Sequence, residues 1–181
     1  MIIALAGRRI DADGTEAVRF PLSNTDEVKE KLKTLFISLH PRALVCSGAC
    51  GADLLALEVA GELKINRRMV LPFEQSLFKS SSVIDRPGNW GDLFDRIFNE
   101  VNKEEKVLVL DYPRNDDESY RKTNIDILNE AGKLAEKYGC PGNLIAVIVW
   151  EGQPESENDT TEQFMNEAKS RGFEIKIITT K

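Results

Sequence analysis

The sequence predicts an α/β fold, three layers deep (α/β/α), with a mostly parallel central sheet. Three observations carry that expectation. Short apolar runs bounded by turn residues recur along all 181 residues. Most of these runs are continuous rather than alternating, as strands covered on both faces require. Helical patterns separate them, and strands alternating with helices imply right-handed crossovers into a parallel sheet.

The strands are expected over residues 2–6, 43–47, 68–72, 106–111, 144–150 and 174–179. The helix predicted over 25–39 puts Val28, Leu32, Leu35, Phe36 and Leu39 on one stripe. The stretch 52–63 is apolar nearly all round, so its helix should be heavily buried. Leu93, Phe94, Ile97 and Val101 share a face of 90–101, and Ile127, Leu128, Ala131, Leu134 and Ala135 do so in 120–138. Phe164, Met165 and Ala168 define a last helix over 160–170, which Gly172 stops. With no repeat, low-complexity tract or linker, residues 1–181 read as one Rossmann-like domain.

Composition narrows the function. The chain is 41% hydrophobic and 30% charged, enough apolar material for a core. Its net charge of -6 repels nucleic acid and anionic membranes. Three cysteines and one histidine give no disulfide framework, no metal site and no base for a serine or cysteine nucleophile. A reducing cytoplasm fits best. The first ten residues lack the basic start of a signal peptide, and no apolar run approaches the roughly 18 residues of a membrane span.

Four irregular stretches interrupt the alternation: 8–24, 73–89, 115–119 and 153–159. Each leaves a predicted strand at its carboxyl end, where open α/β sheets bind ligands. The most informative turn is Ser47-Gly48-Ala49-Cys50-Gly51-Ala52-Asp53, between the second strand and its helix. Glycines let a ligand approach the backbone, and a helix start offers free N–H groups, so a phosphate is the expected guest. Ser47 would add a hydroxyl, and Asp53 would cap the helix or receive a ribose hydroxyl. A carboxylate at position 48 should then repel the ligand, with the fold largely surviving if Gly48 has φ and ψ that aspartate tolerates. The competing reading is a tight turn whose glycines serve only close packing.

Other candidates surround this turn. Arg8 and Arg9 follow Gly7 at the end of the first strand, and one of them is expected to face the phosphate, since a guanidinium binds it in two bonds. Asp159, Thr160 and Thr161 open the last helix, where capping and a second phosphate or ribose contact compete as explanations. Trp150, followed by Glu151 and Gly152 beside this helix start, could stack on a base, although core or rim packing suits a tryptophan at a strand end. Tyr112 is a candidate cleft wall, and Asn124 is expected to face solvent. Cys50 could have its pKa lowered by the helix start. His40 lies at the far end of the sheet and reads as structural.

The stretch S-G-A-C-G-A-D-L-L-A-L-E-V-A resembles the S-G-x-A-x-G-x-D motif of the DprA (Smf) proteins. More broadly it resembles the SLOG superfamily of DprA-like and LOG-like Rossmannoid domains. A-G-R-R-I-D, R-F-P at 19–21, L-P-F at 71–73 with F-K-S-S-S-V, and V-W-E-G at 149–152 before D-T-T are similar to SLOG-type proteins of unassigned role. The resemblance implies a Rossmann-like fold that binds a nucleotide or nucleotide-derived signal, and a homodimer. Two departures qualify it. LOG enzymes carry a late P-G-G-x-G-T-x-x-E motif, but Gln163 and Phe164 stand three residues after Thr160 and Thr161. DprA binds single-stranded DNA on a basic surface, whereas this chain is acidic.

The expectation is therefore a nucleotide-binding sensor or signalling module, with the phosphate on the 47–51 turn. A LOG-like phosphoribohydrolase, with Glu58 as the remaining carboxylate of the motif, is the alternative. Single-stranded DNA binding comes third. No metal and no definite cofactor are expected.

Overall fold

The computed structural model describes residues 1–114 and 116–181. Among them, β1 (Ile2–Gly7), β2 (Ala43–Cys46), β3 (Asn66–Leu71), β4 (Val107–Val109), β5 (Leu144–Val149) and β6 (Glu174–Ile178) form one sheet. The strand order is β4-β3-β2-β1-β5-β6, and every pairing is parallel. The expected three-layer Rossmann-like architecture is what the chain adopts.

Alternate residues of the central strands serve two cores. Ile3, Leu5, Leu44, Cys46, Met69 and Leu71 face α1 (Thr25–Leu39), α2 (Ala52–Glu62) and α4 (Trp90–Lys103). Ile2, Ala4, Ala6, Val45 and Ile148 face α5 (Asp117–Lys137) and α6 (Thr160–Ser170). Because both faces are covered, the strands need no polar positions, which explains the continuous apolar runs. The helix α5 must carry the chain from the edge strand β4 back across β3, β2 and β1 to β5. Strands about 4.8 Å apart make that a path of roughly 19 Å, and the 21 residues of α5 span it with about 31 Å of length. Alanines on both surfaces (Ala4, Ala6, Ala43 and Ala146 below, Ala131 and Ala135 above) allow close approach.

Two stretches expected to be irregular are helical. Within 73–89 the chain forms α3 (Gln75–Ser82), capped by the Glu74 carboxylate, which accepts from the Ser76 N–H. Eight residues with four serines carry little helical signal, and burial of Phe78 and Ser82 supplies the stability that propensity does not. Likewise α5 begins at Asp117 with Asp116 as its cap, inside the stretch read as the loop 115–119; residue 115 itself lies outside the described residues. The 8–24 stretch is irregular as far as residue 21, and Leu22–Asn24 forms a 3₁₀ turn before α1. His40 ends α1 in the left-handed conformation at φ 50, far from the strands' carboxyl ends. No helix among the described residues is long and apolar enough to cross a membrane.

The direction in which successive strands are added to the sheet reverses between β1 and β5. That reversal opens a crevice above the carboxyl end of β1. Gly7 sits at this point because β1, β5 and α2 converge on it: a Cβ would lie 2.6 Å from both the Ala52 Cβ and the Val149 carbonyl oxygen. Gly7→Ala should therefore lower stability by about 1–3 kcal/mol, read as a shifted urea midpoint with unchanged m-value.

Candidate functional site

A cleft of about 430 Å³ occupies the crevice. Its floor is the end of β1 with Ser47, Ala49 and Asp53. One wall is α5 with Tyr120, Thr123, Asn124 and Ile127, and the opposite rim is Phe78, Ser82 and Arg86. The β1–α1 loop arches over it through Ala12, Thr15 and Ala17, and Thr160 and Thr161 close the α6 side. The loop keeps its arch through Asp11, whose carboxylate accepts the N–H groups of Arg19 and Phe20. Of the residues read from sequence, Gly7, Arg8, Arg9, Ser47, Ala49, Asp53, Thr160 and Thr161 line this cleft. Gly48, Cys50, Gly51, Ala52, Trp150, Glu151, Gly152 and Asp159 do not.

The 47–51 turn is not the open anion cradle expected of it. The Ala49 N–H donates to the Asp53 carboxylate at 3.2 Å, and the Gly48 N–H is directed to the same group. The Cys50 N–H donates to the Ser82 carbonyl at 3.0 Å and the Ala52 N–H to the Arg8 carbonyl at 3.1 Å. Residues 8–10 run directly over Gly51, where a Cβ would meet the Arg8 oxygen at 2.8 Å and φ is +90. The turn thus holds its own chain: its glycine admits the exit of β1, not a ligand. Gly48 faces the core, with the Met69 Cε 2.7 Å and the Phe94 ring 3.4 Å from a notional Cβ. A carboxylate at position 48 would be buried among apolar side chains, so the expectation that such a variant keeps its fold is corrected. Cys50 is buried, and burial raises its pKa despite nearby Arg9, which reverses the expected activation.

Arg8 is a structural clamp. Its Nε donates to Glu151 Oε2 at 2.7 Å, Nη1 to Asp159 Oδ2 at 2.6 Å, and Nη2 to Glu151 Oε1 at 3.2 Å and the Gln153 carbonyl at 2.8 Å. All three charged side chains are almost fully buried. The guanidinium also stands 5.6 Å from the centre of the Trp150 ring. Burial opposes the arginine's charge, yet the two carboxylates outweigh it and raise its pKa. Burial likewise opposes ionisation of Glu151 and Asp159, and Arg8 with neighbouring amides nevertheless holds both below their ordinary values. Asp159 is further occupied by the N–H groups of Thr161, Glu162 and Glu155. Capping explains it fully, and Glu151 is taken by Arg8 and Arg19. Trp150 is 4% exposed, packed in the core beneath α5 and α6, and has no face for a base. Gly152 lies in the turn that follows, at φ +94.

Arg9 points the other way. Its Nη1 donates to the Ser81 carbonyl at 3.0 Å and its Nη2 pairs with Asp85. Arg86, which no motif in the sequence singles out, stands 3.8 Å from the same Asp85 oxygen. Tyr120, rather than Tyr112, walls the cleft; the Tyr112 hydroxyl is spent on Asp126 at 2.7 Å. Asn124 faces the cleft, and its Nδ2 donates to the Thr160 carbonyl at 3.2 Å, joining α5 to α6. Its place three residues before Ile127 and one after the buried Thr123 was the available sequence signal. Among the described residues no group of histidine, cysteine and carboxylate side chains could hold a metal ion.

Asp53, on the cleft floor, has a strongly displaced pKa. Burial pushes it up from 3.8 to about 7, against the stabilising amides of Ala49 and Gly48. Compared with known proteins, the chain matches no family model and no curated protein. The motif resemblance around Ser47 therefore stands on its residues alone.

These charges govern how stability responds to pH. Arg8→Met leaves buried Asp159 without a counter-cation and Glu151 with Arg19 alone, and should cost about 3–5 kcal/mol at pH 7. In the wild type the depressed acids contribute stability above their unfolded pKa values and lose it as pH falls through the folded ones. In the variant that contribution is gone, so urea titrations should show the deficit narrowing as pH falls below about 4. Asp53 acts in the opposite sense: its folded pKa is raised, so ionising it costs stability as pH climbs from about 4 to about 7. The cost approaches about 4 kcal/mol at most. Asp53→Asn should flatten that decline, and an unchanged pH profile would mean the carboxyl is ionised at no cost.

Proposed function

We propose that this chain binds a nucleotide or nucleotide derivative in the cleft over the carboxyl end of β1, as a sensor or signalling module. The observation that carries the reading is the coincidence of this cleft with the point where the order of strands reverses. Its volume of about 430 Å³ suits a small ligand. Its lining supports the class: Tyr120 offers aromatic surface for a base, Ser47 and Asn124 offer hydroxyl and amide groups for a ribose, and Arg9 and Arg86 offer cations. Resemblance to SLOG proteins points the same way. The acidic chain argues against single-stranded DNA as partner, and its free cysteines suit a cytoplasmic setting. Sedimentation of the same samples tests the homodimer that the resemblance implies.

A thermal-shift screen against nucleoside mono- and diphosphates, NAD, ADP-ribose and cyclic nucleotides tests this reading. A ligand at a hundred times its Kd stabilises by about 2.7 kcal/mol, or roughly 5–10 °C for a chain of this size. The shift should vanish in Asn124→Trp, which fills the cleft from α5. An equal shift in that variant would put the ligand elsewhere.

A second reading, hydrolysis of an N-glycosidic bond, is favoured by Asp53. In that reaction the oxygen of water bonds to the anomeric carbon while the base departs and takes up a proton. A carboxyl titrating near neutrality can accept the one proton or donate the other. Glu58, the carboxylate expected for this role, is instead paired with Lys29 at 2.8 Å and Arg96 at 2.7 Å, away from the cleft. Chromatography of wild-type incubations should then show free base, with none from Asp53→Asn. Bound but uncleaved nucleotide would leave the sensor reading alone.

A further inference from the structure

Arg9, Asp85 and Arg86 form a charge cluster at the cleft's α3 rim, and its sum is one uncompensated positive charge. Both arginines approach a single Asp85 oxygen: Arg9 through Nη2, and Arg86 with its Nε 3.8 Å away. Among the described residues, the Nε–H groups of both arginines are buried and have no acceptor. A buried guanidinium N–H without an acceptor is unfavourable, because water has been removed and nothing has replaced it. Two such donors, on two cations lining one cleft, call for an additional anionic oxygen. Asp85 can supply only part of that need. Its carboxylate has two oxygens, one of which already faces both arginines.

Neutralisation elsewhere sharpens the assignment. Arg8 is spent on Glu151 and Asp159. Arg19 is paired with Glu151 at 2.5 Å. Of the four arginines lining the cleft, Arg9 and Arg86 are the two with a buried Nε–H that has no acceptor among the described residues. In the 47–52 turn the Ala49, Cys50 and Ala52 amides are already taken, by Asp53, Ser82 and Arg8.

We propose that Arg9 and Arg86 bind the terminal phosphate or diphosphate of the cleft ligand, and that Asp85 is a resident competitor that this phosphate displaces from the two guanidiniums. The proposal rests on the nucleotide reading of the cleft and names its anion subsite. A phosphate has three oxygens in the arrangement that arginine forks match, so it fills donors that one carboxylate leaves empty. Asp85 lies one residue before Arg86 in the loop between α3 and α4, and its release frees that loop to reposition over the ligand.

Calorimetric titration of the full chain with pyrophosphate, and with a nucleoside beside its 5′-mono- and diphosphate, tests this. Arg86→Gln and Arg9→Gln should each weaken pyrophosphate binding tenfold or more. Asp85→Asn, which removes the competing anion, should strengthen it threefold or more. Arg86→Lys, keeping the charge without the fork, should fall between. Thermal unfolding of each variant verifies that it is folded; Arg86→Gln, which removes only a 3.8 Å ion pair, is the decisive variant. Unchanged pyrophosphate affinity in folded Arg86→Gln overturns the proposal, as does weaker binding in Asp85→Asn. Absence of pyrophosphate binding in both wild type and Asp85→Asn also overturns it. Arginine-dependent pyrophosphate binding with no contribution from the nucleoside keeps the anion subsite and sinks the nucleotide reading. Equal affinity for nucleoside and nucleotide, indifferent to all three positions, does the reverse.

Discussion

A buried guanidinium organises the carboxyl edge of this sheet. Arg8 leaves the central strand β1 and is held by Glu151 just beyond β5 and by Asp159 at the start of α6. Burying one cation with two anions is tolerable only where each N–H meets an oxygen, and here Nε, Nη1 and Nη2 all do. The same clamp orders several elements together. It anchors the turn after β5 through the Gln153 carbonyl, and Glu151 extends it to Arg19 in the β1–α1 loop. The α6 side of the cleft, its floor and part of its roof therefore share one electrostatic knot.

That knot also determines what the cleft can offer a ligand. With Arg8 neutralised, positive charge on the rim shifts to Arg9 and Arg86, on the opposite side. The turn below does little to replace it, because the Ala49, Cys50 and Ala52 amides close on Asp53, Ser82 and Arg8. Asp53 pins the turn and also reaches the cleft floor, where burial makes its charge expensive near pH 7. One site thus combines two hydrogen-bond-hungry cations with a carboxyl poised between its neutral and ionised forms.

Neighbouring residues differ in how visible they were. Arg8 and Arg9 are adjacent in sequence and chemically alike, yet one is sealed behind two carboxylates and the other opens on the cleft. Pattern reading could name the pair but could not divide it, since the partners lie more than 70 residues away in both cases. Arg86, Tyr120 and Asn124 were missed for a related reason. Each sits on an element whose start or end depends on tertiary burial: the loop behind the short, serine-rich α3, and the first turns of α5. The glycines of the 47–51 turn were visible and their placement was right, but a ligand's backbone approach and the chain's own look the same in one dimension.

The sequence by itself determined the layered α/β architecture, because continuous apolar runs and amphipathic helices are local patterns that only a doubly covered sheet can bury. It also placed its long loops at the carboxyl end of the strands, where the cleft lies. Only the tertiary structure decided which groups there are free. A helix start, an arginine or an aspartate carries the same donors and charges in any context, and whether they are open depends on what the fold brings against them. Here the fold brought the β1 exit onto Gly51, Glu151 and Asp159 onto Arg8, and a single carboxylate, Asp85, between Arg9 and Arg86.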